Sequence, residues 1–405
     1  MAPATLTMNS SGVVQTSLPP HSFSDKMPGK MLGILIGGSG LIGGTIANYF
    51  KTKTPDSIEL RAPSSKKLSI RNAGDIRDYL KRVRPDFVIN TAIANIDSDS
   101  QLAFEVNYLG TLNLARAAAA LRIPYIHISS AATLPNGVDI EEDNHLPLSS
   151  HLSNYAKSKL MAEETLRHMY QTVGLDYTCI RLAVVYGEHD HKIQGFHRLF
   201  FSIADEAMPV LFTKKKVMHS YSNANKLPFF VHHVLLNRRE FSGETFHFVD
   251  KDPVELANLI LTIKSYLEVK TPREIYVPYP VASVGKKTME VILKGFSKIG
   301  LKASLPAELM FLESFYKTQT LSTKKLRQSS FRDPMPEETI YTKLPELVIY
   351  YLTRWSHQNL ISTFSESMIQ SSAQDTDFQQ APQTLLDSIH QDSTKPFTEL
   401  CDLSS

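Results

Sequence analysis

The chain has 405 residues, 42% of them hydrophobic and 21% charged, with a formal charge of +2. That is enough apolar material for a sizeable core, and the near-neutral balance excludes the basic footprint of a nucleic-acid binder. Two cysteines cannot build a disulfide framework, and no apolar run reaches the roughly 18 residues of a spanning helix or the pattern of a secretory signal, so the expected location is the cytoplasm.

Residues 1–29, rich in Ser, Thr, Pro and Met without periodicity, read as a flexible leader. The apolar run 31–36 ends in glycines and predicts a buried strand. Helices are expected at 41–51, 73–83, 102–121 and 154–172, and further strands at 57–61, 85–90, 124–129 and 176–181. Strands alternating with helices of this length predict an α/β fold, a doubly wound parallel sheet over residues 30–190. Such a sheet binds its ligand beyond the carboxyl ends of its strands. After 190 the alternation weakens. Helices expected at 254–267, 283–298, 306–316 and 336–355 make residues 191–360 a smaller, mainly helical substrate lobe, returning a strand at 245–249 to the main sheet. Residues 361–405 read as a disordered acidic tail, where Lys395 faces seven carboxylates (Glu366, Asp375, Asp377, Asp387, Asp392, Glu399 and Asp402).

The segment Gly37-Gly38-Ser39-Gly40-Leu41-Ile42-Gly43 joins the first expected strand to the first helix. Gly37 permits a tight turn, Gly40 lets backbone approach a pyrophosphate, and Gly43 allows helix and strand to pack closely. The helix start at Leu41 and Ile42 supplies amide donors and a favourable dipole. Three glycines alone could be a simple turn; their place in a strand–helix–strand unit makes them a dinucleotide site of Rossmann type. The second strand ends Glu59-Leu60-Arg61, followed by Lys66 and Lys67. An acid there accepts ribose hydroxyls, whereas arginine suits a 2′-phosphate, so NADP is slightly preferred over NAD. The bland alternative is a solvated basic loop.

Tyr155 and Lys159 open the helix at 154, four residues apart on one face. A free phenol ionises near pH ~10, and a neighbouring ammonium would draw it toward the working range of a general acid–base. Lys159 could also hold the ribose. The fourth strand ends in Ser129 and Ser130.

Taken together, these segments resemble the extended short-chain dehydrogenase/reductase superfamily, in its epimerase/dehydratase/reductase branch. The resemblance is strong over 31–190 and thin afterwards. It implies Tyr155 and Lys159 as catalytic residues that also touch the cofactor. It also implies a Ser or Thr about two dozen residues earlier that holds the reacting oxygen: Ser130, with Thr133 as fallback and Ser129 structural. Asn90-Thr91-Ala92 resembles the segment passing the adenine side, so Thr91 and Ala92 join the cofactor set. Asn107 lies in the stretch Ala103 to Thr111, which resembles the helix-four signature, where the Asn supports the active-site backbone, and it too joins the cofactor set. Arg181 and Tyr186, in Arg181-Leu182-Ala183-Val184-Val185-Tyr186-Gly187, would line nicotinamide and substrate, and Lys226 stands where relatives place a nucleotide-contacting arginine.

The resemblance thus implies an NAD(P)-dependent oxidoreductase or epimerase acting on a secondary alcohol or ketone, foremost of a nucleotide-activated sugar. Residues 58–92 resemble the deoxysugar reductases, which tilts the expectation toward net reduction. Two alternatives stand beside it: a hydroxysteroid- or lipid-alcohol dehydrogenase, and a non-catalytic dinucleotide-binding regulatory protein. Departures from the pattern bear on this choice. Glu188 replaces a proline, and Ala131 and Ala132 replace the Asp-Glu pair of the dehydratases, disfavouring 4,6-dehydration. The cysteine of fucose-synthase-like members is absent, and His232 and His233 replace two acids. His189-Asp190-His191 and His232-His233 lack further ligands at metal spacing, so no metal is expected. Lys214-Lys215-Lys216 reads as an exposed loop rather than a pyrophosphate contact. The basic amphipathic stretch 282–312 reads as core cover rather than a membrane-surface helix. Helices 102–121 and 154–172 match a pair that forms homodimer interfaces in this superfamily.

Overall fold

Strand formation begins where the apolar run demands it. Ile34, Leu35 and Ile36 are buried, and side chains alternate between two faces, so Ile34 and Ile36 join one hydrophobic cluster and Leu35 another. In the computed structural model, residues 30–191, 195–204, 210–212, 216–267, 269–270, 272–275, 277–298 and 312–357 are described. The leader expected at 1–29, the tail at 361–405, Lys214, Lys215 and most of the helix expected at 306–316 lie outside the described residues. One compact unit runs to Leu347 and a second begins at Val348.

In chain order the elements are β1 (Met31–Ile36), α1 (Leu41–Lys53), β2 (Ile58–Arg61), α2 (Ala73–Val83), β3 (Phe87–Asn90), α3 (Ser100–Ala103), a π-helical turn (Phe104–Leu109) and α4 (Gly110–Leu121). Then come β4 (Tyr125–Ser130), β5 (Gly137–Ile140), α5 (Asn154–Val173), β6 (Tyr177–Leu182), β7 (Val184–Tyr186), α6 (Gly195–Ala204), β8 (Val210–Phe212), β9 (Met218–His219) and β10 (Tyr221–Asn223). The chain continues through α7 (Leu227–Leu236), α8 (Arg238–Phe241), β11 (Glu244–Phe248), β12 (Val254–Glu255), α9 (Leu256–Tyr266), β13 (Arg273–Ile275), α10 (Tyr279–Lys298), β14 (Gln319–Leu321) and the helices Lys324–Gln328 and Ile340–His357.

The six-stranded main sheet has the order β11-β6-β4-β3-β1-β2, and every pair is parallel. This is a Rossmann-like α/β sheet with flanking helices, and the expected strand near 245–249 does return to it as β11. Chain order reverses between β1 and β3, the switch point where a crevice opens beyond the strand ends. A smaller four-stranded sheet, β12-β9-β14-β5, was not expected. It takes Val254 and Glu255 from the start of the helix expected at 254–267, because Val254 pairs with His219 and Glu255 with Met218.

Two local devices position the site. The Ser153 hydroxyl accepts from the Ala156 amide at 3.1 Å and caps α5, and Gly174 at φ 67 ends it. This fixes Tyr155 in the helix's first turn. The helix expected at 102–121 is real but interrupted by the π turn, which places Asn107 inward and buried. On its outward side Leu102, Phe104 and Leu121 are exposed. Among the described residues no helix is long and apolar enough to cross a membrane.

Candidate active site

The glycine turn has no room for side chains. Gly37 sits at φ +84, and a Cβ there would lie 2.7 Å from Thr91 Oγ1 and 2.8 Å from the Ala92 amide. A Cβ on Gly43 would lie 2.2 Å from the Gly37 carbonyl oxygen. The turn therefore packs directly against the end of β3, bringing together Gly37, Gly43, Thr91 and Ala92. Thr91 donates to the Ile36 carbonyl at 2.7 Å, which ties β3 to β1 at the switch point. α1 starts at Gly40 with no side-chain cap and no acid in its first turn, and Leu41 and Ile42 are partly exposed. Uncapped amides and the positive end of the helix dipole suit a pyrophosphate. Arg61 is exposed, with Nε 2.7 Å from Glu59, and the neighbouring Ala62 Cβ would be 2.6 Å from a Cβ on Gly38. The basic strand end thus borders the turn.

Two strands across the sheet, Ser130 closes β4. Its hydroxyl accepts from the Ala132 amide at 3.2 Å and lies near enough to act on the Tyr155 phenol. Burial raises the Tyr155 phenol above its ordinary pKa, the nearby Ser130 hydroxyl pulls it down, and the Glu163 carboxylate pushes it up. The downward pull thus comes from Ser130 and not, as the four-residue spacing suggested, from Lys159. The buried Lys159 ammonium instead donates to the Ile128 carbonyl at 2.8 Å, and burial lowers its pKa to about 8. The neighbouring Cys179 and Glu163 act the other way.

Other expected residues sit elsewhere than the sequence suggested. Asn107 commits its buried amide to the protein rather than to a cofactor: it accepts from the Ala94 amide at 2.9 Å and donates to Ser158 Oγ at 3.0 Å, and Ser158 in turn donates to the Tyr155 carbonyl at 3.0 Å. Arg181 is fully buried. Its Nη2 lies 2.7 Å from Glu163 Oε2, and its Nη1 donates to the Glu142 carbonyl at 2.5 Å. It holds β6 to α5 rather than lining a substrate, because residue 181 falls on the sheet face that α5 covers. Tyr186 is buried and donates to Asp250 at 2.8 Å; burial pushes the Asp250 carboxyl up to about 6, while Tyr186 and Lys226 oppose it. Lys226 is buried, with Nζ 3.0 Å from Asp333, so the expected nucleotide-contacting cation is already paired. His232 meets the Tyr49 hydroxyl at 3.1 Å and His233 meets Ser330 Oγ at 2.8 Å. Among the described residues no three His, Cys, Asp or Glu side chains gather as a metal site.

Sequence reasoning missed Glu163, which touches Ser129, Thr133 and Arg181. The signal was available: it lies four residues after Lys159 on the same helix face. It also missed His127, buried beneath the site with neither ring nitrogen partnered among the described residues.

Residues 34–215 match the NAD dependent epimerase/dehydratase family. A decarboxylating sterol-4-alpha-carboxylate 3-dehydrogenase of Candida albicans is 23% identical over 292 residues, 65% of this chain and 83% of its own. A dTDP-4-dehydrorhamnose reductase of Sinorhizobium fredii is 25% identical over 169 residues, 40% of this chain and 53% of its own. Among solved structures, a dTDP-glucose 4,6-dehydratase of Bacillus anthracis in complex with NAD matches with a TM-score of 0.59 at 14% identity, covering 80% of this chain and 98% of the other. That last likeness is one of fold.

Proposed function

We propose that this chain, whose residues 34–215 match the NAD dependent epimerase/dehydratase family, is an NAD(P)-dependent oxidoreductase or epimerase acting at a secondary alcohol or ketone, foremost of a nucleotide-activated sugar. The observation that carries this reading is the placement of Ser130 at the carboxyl end of β4, close enough to act on the Tyr155 phenol, on the sheet edge that also bears the glycine turn. A bound nicotinamide dinucleotide would supply the hydride donor or acceptor. Toward it the chain offers a turn without side chains at Gly37 and Gly43, the free amides of α1, and Arg61 at the ribose end. Toward the substrate, the Tyr155 phenol oxygen gives or takes the carbinol proton, and Ser130 shares the reacting oxygen. Lys159 keeps a positive charge inside the site.

The test is direct: denature freshly purified protein, identify any released nucleotide by absorbance and mass, and titrate the protein with both reduced dinucleotides. Retained NAD marks an enzyme that recycles its hydride internally, as an epimerase does. Tighter binding of NADPH than NADH marks a reductase that exchanges its cofactor each turnover. Binding of neither sinks the proposal.

Two further results are expected. Arg61→Ala weakens NADPH binding about tenfold or more and leaves NADH binding unchanged, since a charge-assisted hydrogen bond is worth roughly 1.5–3 kcal/mol. Equal losses for both would show that Arg61 does not read the 2′-phosphate. In the direction of ketone reduction, kcat/KM falls as pH rises through about 8, because Lys159 loses its proton there. A profile flat from pH 7 to about 9 would contradict the assignment.

A second reading, dehydrogenation of a sterol-like or other apolar alcohol, is favoured by Lys226. Its charge is spent on Asp333, and the Candida albicans sterol dehydrogenase matches this chain over 83% of its own length. Thermal protection by UDP or dTDP supports the sugar substrate, and protection by a steroid alcohol alone supports this second one.

A further inference from the structure

Three hydroxyls lie close together at the end of β4: those of Ser129, Ser130 and Thr133. Adjacent strand residues point to opposite faces, so Ser129 and Ser130 do not share a direction. Thr133, in the short 3₁₀ turn Ala131–Thr133, has no such restriction. Yet Ser129 and Thr133 are both buried, and both donate to the same oxygen, Glu163 Oε1, Thr133 from 3.3 Å. Thr133 shares its proton with the Ser130 carbonyl at 2.9 Å, which pins the strand end. Arg181 closes the other side of the carboxylate: its Nε stands 3.1 Å from each oxygen and its Nη2 2.7 Å from Oε2. An ionised carboxylate only accepts hydrogen bonds, and a buried one must be met by donors. Glu163 therefore draws the hydroxyl protons of Ser129 and Thr133 inward. Ser130 is left half-buried, its oxygen accepting from the Ala132 amide and its hydroxyl not engaged by Glu163.

We infer that Glu163 is a positioning residue: by holding Ser129 and Thr133 inward, it makes Ser130 the one hydroxyl of the three presented to Tyr155. This rests on the Tyr155–Ser130 reading proposed above. Tyr155, Lys159 and Glu163 follow one another at four-residue steps, so a single helix face carries the phenol, the ammonium and the group that selects the phenol's partner.

The test needs no substrate or cofactor. The full chain is labelled with ¹³C at the tyrosine ring Cζ, the Tyr155 signal is assigned with Tyr155→Phe, and its ionisation is followed by NMR. In the otherwise unchanged protein, Ser130→Ala weakens Tyr155 ionisation by roughly threefold or more, the worth of one hydrogen bond to the phenolate. Glu163→Asp keeps a charge for Arg181 but withdraws the carboxylate from Ser129 and Thr133, so a freed hydroxyl can stand in. In that background Ser130→Ala has less than half its former effect. Equal effects in both backgrounds overturn the role of Glu163 and leave the Tyr155–Ser130 pair standing. No effect of Ser130→Ala in the unchanged protein overturns the site reading itself. Should Glu163→Asp fail to fold, the double variant Ser129→Ala, Thr133→Val leaves the Glu163–Arg181 pair whole. It is expected to keep Tyr155 ionisation within about twofold of wild type, and a shift as large as that from Ser130→Ala overturns the inference.

Discussion

Tyr155→Phe is expected to lower kcat by roughly 10²–10⁴-fold, the range for removing a positioned acid–base group, while leaving the melting temperature and dinucleotide binding near wild type. The phenol lies near Ser130 in the first turn of α5, and the ring that packs is retained in phenylalanine. The rate is read from the near-ultraviolet absorbance of the reduced dinucleotide, with whichever alcohol or ketone the unchanged protein turns over. Loss of less than tenfold would remove Tyr155 from the chemistry. A matching loss of dinucleotide affinity would instead make it a binding residue.

Arg181→Met is expected to cost about 3–5 kcal/mol of stability, because it strips the buried Glu163 carboxylate of its fork of donors and leaves a charge without a partner. Methionine fills much of the volume, so the loss is electrostatic rather than a cavity. It is read as a lower midpoint in urea with an unchanged slope. Had the side chain faced a substrate, the variant would keep its midpoint and raise KM. That result would reverse the assignment of Arg181 as the tie between β6 and α5.

These two residues also show what the sequence discloses and what it hides. The glycine turn was legible because each glycine answers a local demand: a left-handed φ at Gly37, and contact with the Gly37 carbonyl at Gly43. Tyr155 and Lys159 stood out because they open the helix after the fourth strand in a chain that already carries the glycine turn, and the runs that became β1, β3 and β4 were apolar enough to read. Arg181 was misread because its place in a motif says nothing about which sheet face it takes or that Glu163 waits there. The partner of Lys226 lies 107 residues away, beyond any local pattern. The four-stranded sheet was hidden for a simpler reason: its strands are two to four residues long, too short for alternation to register. α7 escaped because it is apolar almost throughout, with Pro228 in its first turn, so no polar stripe marked it as a helix.

The π turn carries a last consequence. It turns Asn107 inward, where one amide group grips the Ala94 backbone with its oxygen and Ser158 with its nitrogen. The segment after β3 and the opening turns of α5 are therefore latched through Asn107, beside the contact of the Asn154 amide with the Ser98 carbonyl at 3.4 Å, and tend to loosen together. In hydrogen exchange the Ala94 amide should share its opening free energy with the first amides of α5 that depend on the same latch. Asn107→Ala should release both together, turning one slow-exchanging patch into two fast ones.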